Sequence, residues 1–127
     1  MNKAWISIGS NEDSKTNMEL SRSMLAERFR KILFTREMET APYGKQYKGM
    51  FLNQLAVAFT EHSLEEVHRI AKEIELSLGR LPEHKAQGIV KMDIDVFGWN
   101  GEIVRPHDYN RPYVQDLLPQ LAELLKE

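Results

Sequence analysis

There is no cysteine anywhere in the 127 residues, which excludes disulfide staples, thiolate metal sites and a cysteine nucleophile. No apolar run approaches the roughly 18 residues that a membrane-spanning helix needs. The opening MNKAWISIGS lacks the apolar core of a signal peptide. A cytoplasmic protein with no membrane partner is therefore expected. A dominant charge is also lacking, since 17 basic residues face 19 acidic ones for a formal net of −2. Nothing global draws this chain to nucleic acid or anionic lipid, so any anion site has to be built locally. Linkers, repeats and low-complexity tracts are missing too. What remains, 42% hydrophobic and 28% charged, suits one domain over residues 1–127, as a monomer or weak dimer.

Periodicity supplies the elements. Residues 3–8 alternate Ala4, Ile6 and Ile8 against Trp5 and Ser7, a strand signature. Gly9-Ser10-Asn11 breaks it, and a helix is expected from about 14 to 30. A second strand is expected over 32–39, a loop with Pro42 and Gly44 over 40–48, and a strong strand over Phe51–Thr60. Ser63 with Glu66 forms a capping box. Behind it Leu64, Val67, Ala71, Ile74 and Leu78 mark one apolar helical face, ended by Gly79. Residues 81–88 are polar and expected to be mobile. Residues 89–97 alternate again, 98–101 read as a turn, and 112–126 as a last helix containing Pro119. The order βαββαβ plus a C-terminal helix predicts a ferredoxin-like α+β sandwich. Its antiparallel sheet carries helices on one face and leaves the other face and the loops for function.

Asp93 and Asp95 are the sharpest local feature. Residues two apart on a strand point the same way, about 7 Å apart, and apolar Met92, Ile94 and Val96 pin the register. Two such carboxylates suit Mg²⁺, which takes one or two protein carboxylates plus phosphate and water. The same pattern also fits a solvent-facing strand with two ordinary acids, and spacing alone does not choose.

Further segments add context. Glu75-Leu-Ser-Leu-Gly-Arg80, then Gly88, then Asp93-Ile-Asp95-Val-Phe-Gly98 resemble the signature region of the hydroxymethyldihydropterin pyrophosphokinases. So do Gly9-Ser10-Asn11, the loop from Thr40 to Gly44, Phe51-Leu52-Asn53, Pro106-His107 and Asn110-Arg111, in the family's order. The resemblance implies transfer of a diphosphate from ATP to 6-hydroxymethyl-7,8-dihydropterin in folate biosynthesis, releasing AMP. It implies two Mg²⁺ ions on Asp93 and Asp95. It implies a pterin site at Thr40, Pro42, Tyr43, Phe51, Asn53 and Tyr113, with Phe51 and Tyr113 stacking on the ring. Glu75, Arg80, His107 and Arg111 would lie along ATP, and Arg80 would face its phosphates. From strand alternation Lys91 is expected to share the face of Asp93 and join the catalytic set. Bland roles stay open: Phe51 and Tyr113 as core, Glu75 on a solvated helix face, His107 as a loop residue, Lys91 paired to nearby carboxylates.

The chain departs from that family in its arginines. Pro82, Ala86, Gln87 and Val90 stand where loop arginines and a tryptophan are usual, and Asp108 replaces an aromatic. Valine retains neither the planar fork nor the charge of arginine. His84, Lys85, Lys91 and Arg105 are the nearby candidates to compensate. A relative that binds pterin or nucleotide without turnover is thus the second reading. An RNA-binding module is the third, with no basic–aromatic motif on Phe51–Thr60 to favour it.

Overall fold

FLNQLAVAFT, residues Phe51–Thr60, is rich in residues that suit a strand buried on both faces. It becomes an interior strand of the sheet. The computed structural model describes residues 1–42 and 44–126. In chain order the elements are β1 (Asn2–Ser10), α1 (Ser14–Arg28), β2 (Lys31–Phe34), β3 (Met38–Thr40), β4 (Phe51–Thr60) and α2 (Leu64–Ser77). Then follow β5 (Asp93–Trp99), β6 (Glu102–Ile103), α3 (Pro106–Tyr109) and α4 (Pro112–Leu125). Among the described residues the strands form one antiparallel sheet in the order β2-β4-β1-β5-β6, with β3 also paired to β4.

One sheet face presents Ala4, Ile6, Ile8, Ala56, Ala58, Ile94 and Val96 to Met18 and Leu25 of α1 and to Val67, Ile70 and Ile74 of α2. Each large side chain buried there contributes roughly 1.5–3 kcal/mol. The capping box forms as expected: Ser63 Oγ accepts from Glu66 N at 3.2 Å, and Ser63 N donates to Glu66 Oε1 at 3.2 Å. The second face is not open. Tyr113, Val114, Leu117 and Leu121 of α4 cover Leu55, Val57 and Phe97 on that side. Function is thereby confined to the uncovered end of this face and its loops.

Three expectations of the sequence change. The strand expected over 32–39 is split in two. Thr35 supplies its hydroxyl to Leu55 N (3.0 Å) while Thr35 N reaches Leu55 O (2.9 Å), and Arg36 N donates to Gln120 Oε1 of α4. The last long strand begins at Asp93 rather than 89, because Asn11 takes the preceding polar groups. Val90 N donates to Asn11 Oδ1 (2.7 Å), and Asn11 N donates to Val90 O (2.9 Å). The 98–101 turn is shorter than read. Asn100 and Gly101, both at positive φ, make the two-residue connection of a β5–β6 hairpin.

Candidate functional site

Pairing of β5 with β1 sets Asp95 opposite Ser7 and Asp93 opposite Gly9. Pairing of β1 with β4 sets Gly9 opposite Asn53 and Ser7 opposite Leu55. Since cross-strand partners share a face, Ser7, Gly9, Asn53, Asp93 and Asp95 lie on one side of the sheet. This is the side α4 covers, at the end beyond its first turn. Gly9 is needed here, because a Cβ would come 2.9 Å from Asn53 Oδ1.

Each aspartate meets a guanidinium. Arg80 Nη1 lies 3.0 Å from Asp93 Oδ1 and 3.1 Å from Glu75 Oε2. Arg105 Nη1 lies 3.2 Å from Asp95 Oδ1, and its Nε lies 2.7 Å from Asp108 Oδ2. Burial, reinforced by the neighbouring charge of Asp93, pushes the Asp95 carboxyl up to about 7. Burial also raises Glu75, against the pull of the Ile94 N–H it accepts at 2.7 Å and of Arg80. Glu75 is therefore no solvated helix residue: its side chain is only 3% exposed, and it fastens α2 to β5. Burial first, then the charges of Arg105 and Lys72, lower His68.

Two cavities meet at Asp93. The smaller, about 60 Å³, is lined by residues that include Ser7, Thr40, Phe51, Asn53, Arg111 and Tyr113. The larger, about 590 Å³, runs past Lys72, Glu75, Arg80, His84 and Lys85. Tyr47, Val90 and Asp93 line both. In the smaller one, Asn53 Nδ2 donates to Thr40 Oγ1 (2.6 Å) and Met38 O (3.4 Å). Tyr113 is buried and bonded to Ser7, and burial pushes its phenol up to about 12. Ligand pockets commonly measure 300–1,000 Å³, so only the larger cavity is ready for a sizeable ligand. The smaller one has to widen to take a flat bicycle, and Tyr47 is its lining residue from the 44–50 loop.

The expected site residues are not all gathered. Asp93, Glu75 and Arg80 share the larger cavity, while Thr40, Phe51, Asn53 and Tyr113 share the smaller. Pro42 is half-buried and lines neither, and Tyr43 lies outside the described residues. Arg111, expected along the nucleotide, lines the smaller cavity and sits 3.4 Å from Asp108. His107 is exposed on α3 and lines neither cavity. The face-sharing argument for Lys91 fails because β5 starts two residues later; its ammonium lies over Gly79, 3.2 Å from where a Cβ would stand. Residues 81–88, expected to be mobile, carry local structure. They form a short 3₁₀ turn over Pro82–His84, docked through Lys48 N to Gly88 O (2.8 Å) and Asn11 Nδ2 to Gly88 O (2.9 Å). Periodicity missed Tyr47, which meets Phe51 edge-on at 5.2 Å and 85°, because it sits in a loop. Ser7 was findable as the β1 residue facing the acidic strand.

A family model for 7,8-dihydro-6-hydroxymethylpterin-pyrophosphokinase matches residues 5–123. The chain belongs to this family. No curated protein matches it. Among solved structures, the C-terminal domain of the MgtC protein from Mycobacterium tuberculosis aligns with 12% identity and a TM-score of 0.41. That alignment covers 80% of this chain and 89% of that one, a likeness too slight to carry an argument.

Pyrophosphokinases of this family use ATP and Mg²⁺, and the donor set here fits such an ion. Among the described residues no three His, Cys, Asp or Glu cluster. Asp93 and Asp95 form a hard-oxygen pair whose mutual repulsion a divalent cation would relieve, with phosphate and water completing the shell. No described helix is long and apolar enough to cross a membrane.

Proposed function

We propose that residues 1–127 form one pyrophosphokinase-like unit on a ferredoxin-like sheet, transferring diphosphate from ATP to 6-hydroxymethyl-7,8-dihydropterin in folate biosynthesis. The observation that carries this reading is the meeting of two unequal cavities at Asp93. A flat ring held by Asn53, Thr40, Phe51 and Tyr113 would present its hydroxymethyl group toward that aspartate. The larger cleft would hold the nucleotide between α2 and residues 80–90.

The pterin oxygen attacks the β-phosphorus, the bond from that phosphorus to the α,β-bridging oxygen breaks, AMP leaves with that oxygen, and the hydroxyl proton passes to solvent water. Asp93 and Asp95 would hold Mg²⁺, two ions being the expected number, and the bound metal would supply charge neutralisation at the phosphates. The rest is positioning. Glu75 holds β5 through Ile94 N and steadies Arg80, which is aimed between Asp93 and the nucleotide cleft. Asn53 has both amide hydrogens directed at Met38 and Thr40, which leaves its carbonyl as an acceptor for the pterin edge. Tyr113 and Ser7 close the bottom of the smaller cavity.

The test is incubation with ATP, Mg²⁺ and hydroxymethyldihydropterin. AMP and pterin diphosphate in equal amounts support the reading. AMP formation that survives Asp95→Ala, or its absence from the wild type, removes it. Pterin and nucleotide binding without AMP would leave the binding-only relative instead.

A further inference from the structure

We propose that Arg105, tethered by Asp108, is a phosphate-binding residue that supplies the guanidinium lost where Val90 stands. The inference rests on the reading that this site takes ATP. Arg105 is fixed at its backbone: its N and that of Val104 donate to Phe97 O at 3.4 and 2.9 Å, and its carbonyl accepts Tyr109 N at 3.0 Å. Its side chain has two partners. Nε lies 2.7 Å from Asp108 Oδ2 and Nη1 lies 3.2 Å from Asp95 Oδ1, both as ion pairs, the Asp108 oxygen making no hydrogen bond among the described residues. Asp108 is 8% exposed at its side chain and also holds Arg111, so it is an anchor rather than a ligand for anything outside. Asp95 belongs to the proposed ion site. Once a cation balances Asp95, the guanidinium keeps its tether and turns its remaining donors toward whatever anion accompanies that cation.

The arrangement mirrors the other aspartate. Arg80 hydrogen-bonds Asp93 and pairs with buried Glu75, and Arg105 pairs by charge with Asp95 and with buried Asp108. Each aspartate thus has one guanidinium, and each guanidinium is held from behind by a buried carboxylate. A guanidinium carries five donors, and half of the Arg105 side chain remains exposed (49%). A residue serving only to neutralise Asp95 needs no second, buried acid to aim it.

The experiment is calorimetry with α,β-methylene-ATP and Mg²⁺, with AMP as the comparison ligand, on wild type, Arg105→Gln and Arg105→Lys. Loss of a charged hydrogen-bond donor at phosphate weakens binding by about tenfold or more. Arg105→Gln should therefore bind the analogue about tenfold more weakly and AMP unchanged, because AMP lacks the β- and γ-phosphates. Arg105→Lys keeps the charge without the fork and should fall between; it carries the test if the glutamine variant does not fold. Equal affinity of all three for the analogue overturns the inference and leaves the proposed function standing. Parallel loss for analogue and AMP marks a general disturbance and also overturns it. A wild type that does not bind the analogue overturns both readings.

Discussion

Replacing Asp95 with asparagine should make the metal-free protein more stable while ending diphosphate transfer. Burial and the neighbouring Asp93 push Asp95 from 3.8 to about 7. A carboxyl raised in this way favours the folded state while protonated. That stability is fully present below about pH 4 and is lost as pH rises through 7. Three pKa units at 1.36 kcal/mol each set a ceiling of about 4 kcal/mol. The pull of Arg105 is already part of that shift, and the coupling to Asp93 shares the strain between two acids, so roughly 2–4 kcal/mol is the working range. For a domain of this size each kcal/mol moves Tm by about 3–5 °C. Asp95→Asn should therefore melt well above wild type at pH 8 in EDTA, the gap closing steadily toward pH 4. An asparagine variant no more stable than wild type at pH 8, or a gap that ignores pH, would refute the electrostatic argument.

Asn53→Ala should weaken pterin binding by about tenfold or more, read by ligand fluorescence, and leave α,β-methylene-ATP affinity unchanged, since Asn53 lines only the smaller cavity. Gly88→Ala should raise the KM for ATP and cost about 1–3 kcal/mol in urea unfolding. Gly88 sits at φ 70 with its α-carbon against the Gln46 carbonyl, so a methyl group there undocks the two loops. Val90→Arg, which places a guanidinium where both cavities meet, should raise kcat/KM for ATP by about tenfold in the Arg105→Gln background and change it little in the wild type; a tenfold gain in the wild type would show that Arg105 does not supply this contact.

The aspartate pair was legible because strand alternation has a fixed period: Met92, Ile94 and Val96 bury, leaving Asp93 and Asp95 on the other side. The same holds for α2, whose apolar spacing and capping box both form. Several failures share a cause, a long-range polar group taking over from a local pattern. Asn11 claims the backbone of Val90 and delays β5, the Thr35 hydroxyl interrupts the second strand, and buried Glu75 fastens α2 to β5 through Ile94 N. None of these pairings has a periodicity to reveal it. The burial of the second sheet face depended on where α4 docks, and its amphipathic sequence is silent on that choice.

The most direct measurement is Mn²⁺ uptake followed by electron paramagnetic resonance, with α,β-methylene-ATP present, on wild type and on Asp93→Asn/Asp95→Asn. The wild type should hold more Mn²⁺ than the nucleotide retains alone, approaching two ions per chain, and the double variant should lose the excess. A double variant that binds Mn²⁺ as fully as wild type would contradict the assignment of the metal site to β5.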